Sequence, residues 1–73
     1  MFNKNAFRAK VVAKGKTLGG LATDIGVNPA TLTRKMNGES DFTRSEIHHI
    51  RMILSLSAEE ADAIFFEGEL AET

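Results

Sequence analysis

The stretch Thr17–Gly38, TLGGLATDIGVNPATLTRKMNG, decides the fold of this chain. Apolar residues recur at helical spacing on both sides of Gly26, which predicts two short helices joined by a tight turn. Asn28 is typical of a helix N-cap, and Pro29 is favoured at the first position of the helix that follows. We expect that second helix to end at Gly38, in the role that glycine plays just past helix C-termini.

The second helix of this stretch is expected to have an apolar face and a cationic face. Leu32 and Met36 are one turn apart and are predicted to point into the core. Arg34 is predicted on the face that does not pack, with Lys35 at its flank. A single α-helix fits in the major groove of DNA, so this helix is a candidate for contacts with bases.

The charges of the chain are segregated along its length, although the net charge is only −1. Residues 1–38 carry seven Lys and Arg and one Asp, whereas residues 39–73 carry two Arg and nine Asp and Glu. A chain polarised in this way is expected to have a basic face and an acidic face, and the basic face suits a polyanionic partner. The alternative is an ordinary solvated surface.

Three more helices are predicted around the central pair, and no strand is expected because apolar residues do not alternate with a period of two. The first helix is predicted from about Lys4 to Lys14, with Asn3 or Asn5 as its cap and Gly15 at its end. The predicted core residues are Phe7, Val11, Val12, Leu18, Leu21, Ala22, Ile25, Val27, Leu32, Met36, Ile47, Ile50, Ile53, Leu54, Ala61, Ile64 and Phe65.

Helices four and five each begin at a predicted capping box. The first box is Thr43–Glu46, and Phe42 is placed to pack on Ile47 across it. The second box is Ser57–Glu60, whose acids also suit the positive end of the helix dipole. Gly68 is expected to close helix five.

Length and composition predict a single domain of the cytoplasm. We expect residues 1–73 to form one helical domain, with an ordered core from about 4 to 67 and a frayed C-terminal tail. The chain has no Cys, which excludes disulfides and thiolate metal sites. No apolar run approaches the ~20 residues of a membrane span, and the first residues do not resemble a signal peptide. Neither a membrane partner nor export is expected.

The run LATDIGVNPATLTRKMNG resembles the helix-turn-helix of the lambda-type phage repressor and Cro family, also called the Xre family. FTRSEIHHIRMILSLSAEEADAIFF resembles the fourth and fifth helices of small phage-encoded members, so the resemblance runs from about Ala6 to Phe66. It implies an all-α, compact five-helix lambda-repressor-like domain, with the helix-turn-helix in helices two and three. It also implies binding to operator DNA, usually as a homodimer, and regulation of transcription as a repressor, a Cro-like switch protein or an activator.

Members of this family contact bases from the start and the exposed face of the recognition helix. By position, the resemblance implies base contacts from Asn28, Pro29, Ala30, Thr33 and Arg34. Arg34 is the best candidate for reading a guanine, because its planar fork matches the O6 and N7 acceptors. Phosphate contacts, which position the helix without reading sequence, are expected from Lys14, Lys16, Thr17, Thr31, Lys35 and Asn37.

Two departures from the family pattern bear on specificity. Many members have a Gln at the start of helix two that braces a phosphate and the recognition helix, and this chain has Leu18 there. Pro29 and Ala30 offer fewer hydrogen bonds to base edges than the Gln and Asn common in relatives. Specificity is therefore expected to depend more on Arg34 and on DNA shape.

The sequence contains no set of residues typical of an enzyme or a metal site. His48 and His49 are adjacent, so they point about 100° apart on a helix and do not form a metal-ligand pair. We expect one of them to be exposed and the other half-buried. No nucleophile, base and orienting group occur together, so no enzymatic activity, cofactor or small-molecule substrate is expected.

Phe65 and Phe66 are neighbours, so both do not fit in one small core. One of them is expected to be exposed, and the pair is the candidate dimer interface. A second function class stays open at this point: a protein-interaction module on the same fold, such as an anti-repressor or an antitoxin-like partner binder. The overall acidity and the few hydrogen-bonding groups on helix three favour that alternative.

Overall fold

Five α-helices make up residues 2–66, the part of the chain that the computed structural model describes, and this range contains no strand. The helices are α1 (Lys4–Ala13), α2 (Leu18–Asp24), α3 (Pro29–Met36), α4 (Arg44–Ile53) and α5 (Ala58–Phe65). The predicted all-α class and all five predicted helices are confirmed. The predicted stop at Gly68 and the predicted frayed tail lie outside the described residues. None of the five helices has the length and the apolar character that crossing a membrane requires.

Each helix begins with a polar side chain that accepts a hydrogen bond from the backbone N–H three residues later. These bonds measure 2.7 to 3.1 Å. The two predicted capping boxes are complete, because Glu46 and Glu60 accept from the N–H of Thr43 and Ser57 at 2.9 Å. The helices have only 7 to 10 residues, so these caps define where each one starts. The five N-caps are Asn3, Thr17, Asn28, Thr43 and Ser57.

The first four helices end in one backbone arrangement, the Schellman motif. In each, the N–H two residues past the C-cap donates to a carbonyl five residues earlier, at 2.9 Å. The residue in between has a positive φ, and glycine occupies it after α1, α2 and α3, as predicted. After α4 the position is held by Ser55, with a φ of 51°, the one non-glycine residue with positive φ within residues 2–66.

The core lies between the helices and is built mainly from the predicted residues. Val12 is the exception: it is 74% exposed, so its assignment to the core was wrong. Its neighbour Val11 is buried one turn after Phe7, and Val12 lies about 100° further around α1, on the side that faces solvent. His48 and His49 are both exposed, which corrects the expected half-burial of one. Five predicted core residues are only partly buried against the core: Leu18, Ile25, Val27, Ile47 and Ile53.

Four phenylalanine rings from both ends of the described chain meet in one cluster. Phe2, Phe7, Phe42 and Phe65 have ring centroids 5.0 to 6.3 Å apart. Phe65 is buried in this cluster, so its assignment to a dimer interface was wrong, because the ring is already covered within its own chain. Phe66 is the exposed member of the pair, at 39%. Phe2 was not predicted to contribute to the core.

The first and last helices pack side by side and run antiparallel. The N–H of Asn3 donates to the carbonyl of Ile64 at 2.7 Å, which joins the start of α1 to the end of α5. At the other end of the pair, Lys10 forms an ion pair with Glu60. The hydrogen bond from Lys10 and the one from the backbone of Ser57 lower the pKa of Glu60 to about 2. Glu60 therefore remains charged far into the acidic range.

We expect Ser55→Gly to raise the free energy of unfolding by about 1 kcal/mol, because non-glycine residues are strained at positive φ. Gly26→Ser is the matched reverse change. Its added Cβ would meet no atom within 4 Å, so only its φ of 81° opposes the substitution. It should lower the free energy of unfolding by about 1 kcal/mol. Urea unfolding of both variants measures the two changes, and shifts of the same sign would contradict this explanation.

Candidate nucleic-acid interface

The turn between α2 and α3 fixes the angle at which α3 leaves its partner helix. Gly26 has a φ of 81°, and the N–H of Val27 donates to the carbonyl of Ala22 at 2.9 Å. The two helices pack against each other, and Ala22 and Leu32 are almost fully buried in the pair. A larger side chain at Ala22 would push the helices apart. The turn and this close packing hold α3 as a rigid unit on α2.

One face of α3 is buried and the opposite face is open to solvent. Leu32, Lys35 and Met36 are buried. Every residue predicted to contact bases is exposed: Asn28, Pro29, Ala30, Thr33 and Arg34. The side chain of Arg34 makes no ion pair and no hydrogen bond with any other residue of the described range. Its guanidinium is therefore available to a partner outside the chain.

The open face of α3 offers few hydrogen-bonding groups besides Arg34. Asn28 uses its side-chain oxygen as the helix cap, accepting from the N–H of Thr31 at 2.7 Å, which leaves its NH₂ group to donate. The hydroxyl of Thr33 donates to the carbonyl of Pro29 at 3.0 Å. That bond leaves the methyl group of Thr33 for outward contact. Arg34 thus supplies most of the donors on this face.

Lys35 was predicted at the flank of the exposed face of α3, but it lies on the buried side. Its residue is only 7% exposed, and its Nζ lies 3.0 Å from Oε1 of Glu46. The same Nζ donates to the carbonyl of Asp41 at 2.9 Å. The assignment of Lys35 to phosphate binding was therefore wrong. The physical reason is its position three residues after Leu32, which places it on the buried side of the helix.

Glu46 joins this buried cation to the first turn of α4. Burial raises the pKa of Glu46, but hydrogen bonds from the backbone of Thr43 and from the ammonium of Lys35 outweigh that effect and hold the pKa below its ordinary value. The carboxylate is therefore charged at neutral pH. Its Oε1 is shared by the N-cap of α4 and by Lys35, which fastens the last turn of α3 to α4.

The other predicted phosphate contacts are distributed around both ends of the helix pair. Lys14 and Lys16 are exposed between α1 and α2. Thr17 is exposed, and its oxygen caps α2. Thr31 is half-buried in the first turn of α3. Asn37 is exposed at the C-cap of α3, where its Oδ1 accepts a hydrogen bond from another part of the chain.

The charge segregation of the sequence is only partly preserved on the surface. Lys10 and Lys35 form ion pairs with Glu60 and Glu46, so neither is available to an outside anion. Glu39 is exposed directly after α3 and contributes negative charge there. The remaining cations of the basic half are exposed and form no ion pair within residues 2–66: Lys4, Arg8, Lys14, Lys16 and Arg34.

A groove of about 600 Å³ lies beside the last turn of α3. Phe2, Phe42, Ile47 and Phe66 contribute to its walls, and the stem of Lys35 also reaches it. In the described part of the chain, no three His, Asp or Glu side chains are close enough to hold a metal ion. The groove is mainly apolar, although Lys35, Ser40 and Asp41 also line it, and Phe66 is its exposed aromatic residue.

Comparison of the chain with models of protein families, with curated proteins and with solved structures finds no match. No relative indicates what α3 binds. The chemistry of its exposed face and the contacts that orient it are the observations from which a function follows.

Arg34 and Lys35 are adjacent cations, and we expect the same substitution to change the free energy of unfolding by very different amounts at the two positions. Lys35→Met should lower the free energy of unfolding by about 2 kcal/mol, because it leaves the largely buried carboxylate of Glu46 without its charged partner. Arg34→Met should change it by less than about 0.5 kcal/mol, because the side chain is exposed and unpaired. Urea unfolding measures both. Equal effects would show that Lys35 is not anchored inside.

Proposed function

We propose that this protein binds double-stranded DNA in a sequence-specific manner and regulates transcription. α2, the turn at Gly26 and α3 would act as a helix-turn-helix, with α3 as the recognition helix. The observation that carries this proposal is the division of α3, which buries Leu32 and Met36 and leaves Arg34 unpaired in solvent. The resemblance to the lambda-type phage repressor and Cro family supports the same assignment.

The dimensions of α3 suit the major groove. Its eight residues form a cylinder about 12 Å long at the ordinary rise of an α-helix. The major groove of B-DNA is about 12 Å wide. An α-helix with its side chains is about 10–12 Å in diameter, so α3 can lie in this groove with base edges beneath its exposed face and a sugar-phosphate backbone on each side.

Each exposed residue of α3 has a distinct role in this proposal. Arg34 donates two hydrogen bonds to the O6 and N7 of a guanine, and the NH₂ group of Asn28 donates to a base acceptor. Ala30 and the methyl group of Thr33 pack on a thymine methyl group. Because Pro29 adds no donor, DNA shape contributes the rest of the specificity.

The proposed biological role is a small regulator of phage or prophage type, most simply a repressor in the cytoplasm. Lys14, Lys16 and Thr17 precede α2 and would hold the backbone of one strand, as phosphate contacts that position the helix. Occupancy of an operator would block or alter access of the polymerase. No cofactor and no small-molecule substrate enter this mechanism.

The proposed DNA-binding form is a homodimer joined through Phe66. Phe66 is 39% exposed and lines the same groove as Phe42 and Ile47. A two-fold axis at this groove lets each copy place its Phe66 in the groove of the other, which is the self-complementary arrangement of a symmetric dimer. Two recognition helices about 34 Å apart would then meet successive turns of the major groove.

Binding to DNA is tested first with a random-sequence duplex at salt concentrations from about 50 to 250 mM. We expect the affinity to fall steeply with salt, by about 0.9 in log K per log salt for each phosphate contacted. Fluorescence anisotropy of a labelled duplex gives this slope. Absence of binding near 50 mM salt would overturn the proposal and favour the protein-interaction module instead.

Selection of bound duplexes from a random pool tests whether Arg34 reads a base. We expect a half-site that contains a guanine whose preference disappears in Arg34→Ala, at a cost of about 1–3 kcal/mol in binding free energy. Lys16→Ala is the control: it should weaken binding to all sequences alike. A guanine preference that survives in Arg34→Ala would contradict the assigned role.

The dimer is tested by measuring molecular mass at tens of micromolar for the wild type and for Phe66→Ser. We expect the wild type to sediment as a dimer and the variant as a monomer with an unchanged helical spectrum. Val12→Ser is the matched control, because it removes an exposed apolar side chain outside the groove. A wild-type chain that is monomeric throughout would refute the dimer.

A further inference from the structure

The beginning of α1 touches the end of α3 through one exposed hydrogen bond. Nζ of Lys4 donates to Oδ1 of Asn37 at 2.8 Å, between residues 33 positions apart in the sequence. Lys4 is the first residue of α1, and Asn37 is the C-cap of α3. The fold therefore places a cation of the first helix beside the last turn of the proposed recognition helix.

The side chains of this pair present mainly hydrogen-bond donors to the outside. Oδ1 is the one acceptor of the Asn37 side chain, and Lys4 already occupies it. The NH₂ group of Asn37 and the remaining hydrogens of the ammonium group are left to donate. No acid within residues 2–66 forms an ion pair with Lys4. Although the exposed acid Glu39 follows α3 two residues after Asn37, an ammonium group beside a free amide donor is suited to an anionic oxygen ligand.

Two further cations extend this surface in both directions. Arg8 lies one turn after Lys4 on α1, and Arg34 lies one turn before Asn37 on α3. Both are exposed, and neither forms an ion pair within the described range. The four residues form a line from the exposed face of α3 onto the side of α1.

We propose that Lys4 and Asn37, with Arg8 beside them, bind a backbone phosphate of the same duplex whose bases α3 contacts. This inference rests on the proposed function. When α3 lies in the major groove, a sugar-phosphate strand borders it on each side, and Asn37 lies at the C-terminal end of α3, where α1 adjoins it. The contact joins α1 and α3 to one phosphate and thereby fixes the orientation of the recognition helix.

The line of residues also explains why a phosphate, rather than a base edge, is the ligand. Arg34 is the base-reading group and lies within the helix, whereas Lys4 reaches the complex from another helix, beyond the last turn of α3. A compact ammonium group recognises phosphate as a point charge and does not match a base edge with two bonds. Its loss should therefore weaken binding to every sequence equally.

The test compares Lys4→Met with Lys10→Met on a random duplex and on selected duplexes. Both substitutions remove one cation from α1, but Lys10 is paired with Glu60 on the side that faces α5. We expect Lys4→Met to weaken binding roughly eightfold at 0.1 M salt and to lower the salt slope by about 0.9. Lys10→Met should leave the slope unchanged, and Lys4→Arg should retain the wild-type affinity.

The outcomes separate this inference from the proposed function. If the wild type binds with a steep salt slope and Lys4→Met behaves like Lys10→Met, the phosphate site is overturned and DNA binding stands. A change of base preference in the selection with Lys4→Met would likewise overturn the phosphate site alone. If the wild type does not bind duplex DNA near 50 mM salt, both proposals are overturned. The urea midpoint of Lys4→Met should match that of the wild type, because the side chain is exposed.

Discussion

The buried ion pair between Lys35 and Glu46 is the constraint on which the orientation of α3 depends. A partly desolvated ammonium group needs its partners within hydrogen-bonding distance, and Lys35 finds them at 3.0 Å on α4 and at 2.9 Å in the connecting loop. Leu32, Lys35 and Met36 together define the buried side of α3, and Arg34 lies outside that arc and is exposed. The contacts of Lys35 thus fix the packing of the last turn of α3 and, with Leu32 and Met36, the rotation of the helix that leaves Arg34 in solvent.

Helices of 7 to 10 residues are too short to be stable alone in water, so the ends of each one matter as much as its buried side. Polar caps start all five, and a Schellman motif ends the first four. Between these fixed ends, a core of small and medium apolar residues with four phenylalanine rings holds the helices together. The caps and the core together hold α3 in a fixed orientation, although the helix has only about two turns.

The parts of the fold that could be predicted from the sequence are the local ones. Caps and glycine stops act within a few residues, so the starts of all five helices and the exposure of Arg34 followed from the pattern. The spacing of Lys35 from Leu32 already favoured the buried side of α3, but its carboxylate partner Glu46 is on another helix and was not predicted. The packing of Phe2 in the core was not predicted either, because two of the rings that it contacts, Phe42 and Phe65, are far along the sequence. The contact between Lys4 and Asn37 could be identified only from the three-dimensional structure, because 33 positions separate the two residues in the sequence.

The phenylalanine cluster draws one ring from the first residues, one from α1, one from the loop before α4 and one from α5. During synthesis on the ribosome, the cluster therefore stays incomplete until Phe65 has emerged from the exit tunnel. α2 and α3 are synthesised early. The hydrogen bond from Asn3 to Ile64 and the contact of Phe2 with Phe65 cannot form until α5 has been synthesised. A nascent chain interrupted before α5 would expose aromatic surface to chaperones and proteases, and only the finished polypeptide would present α3 in its final pose.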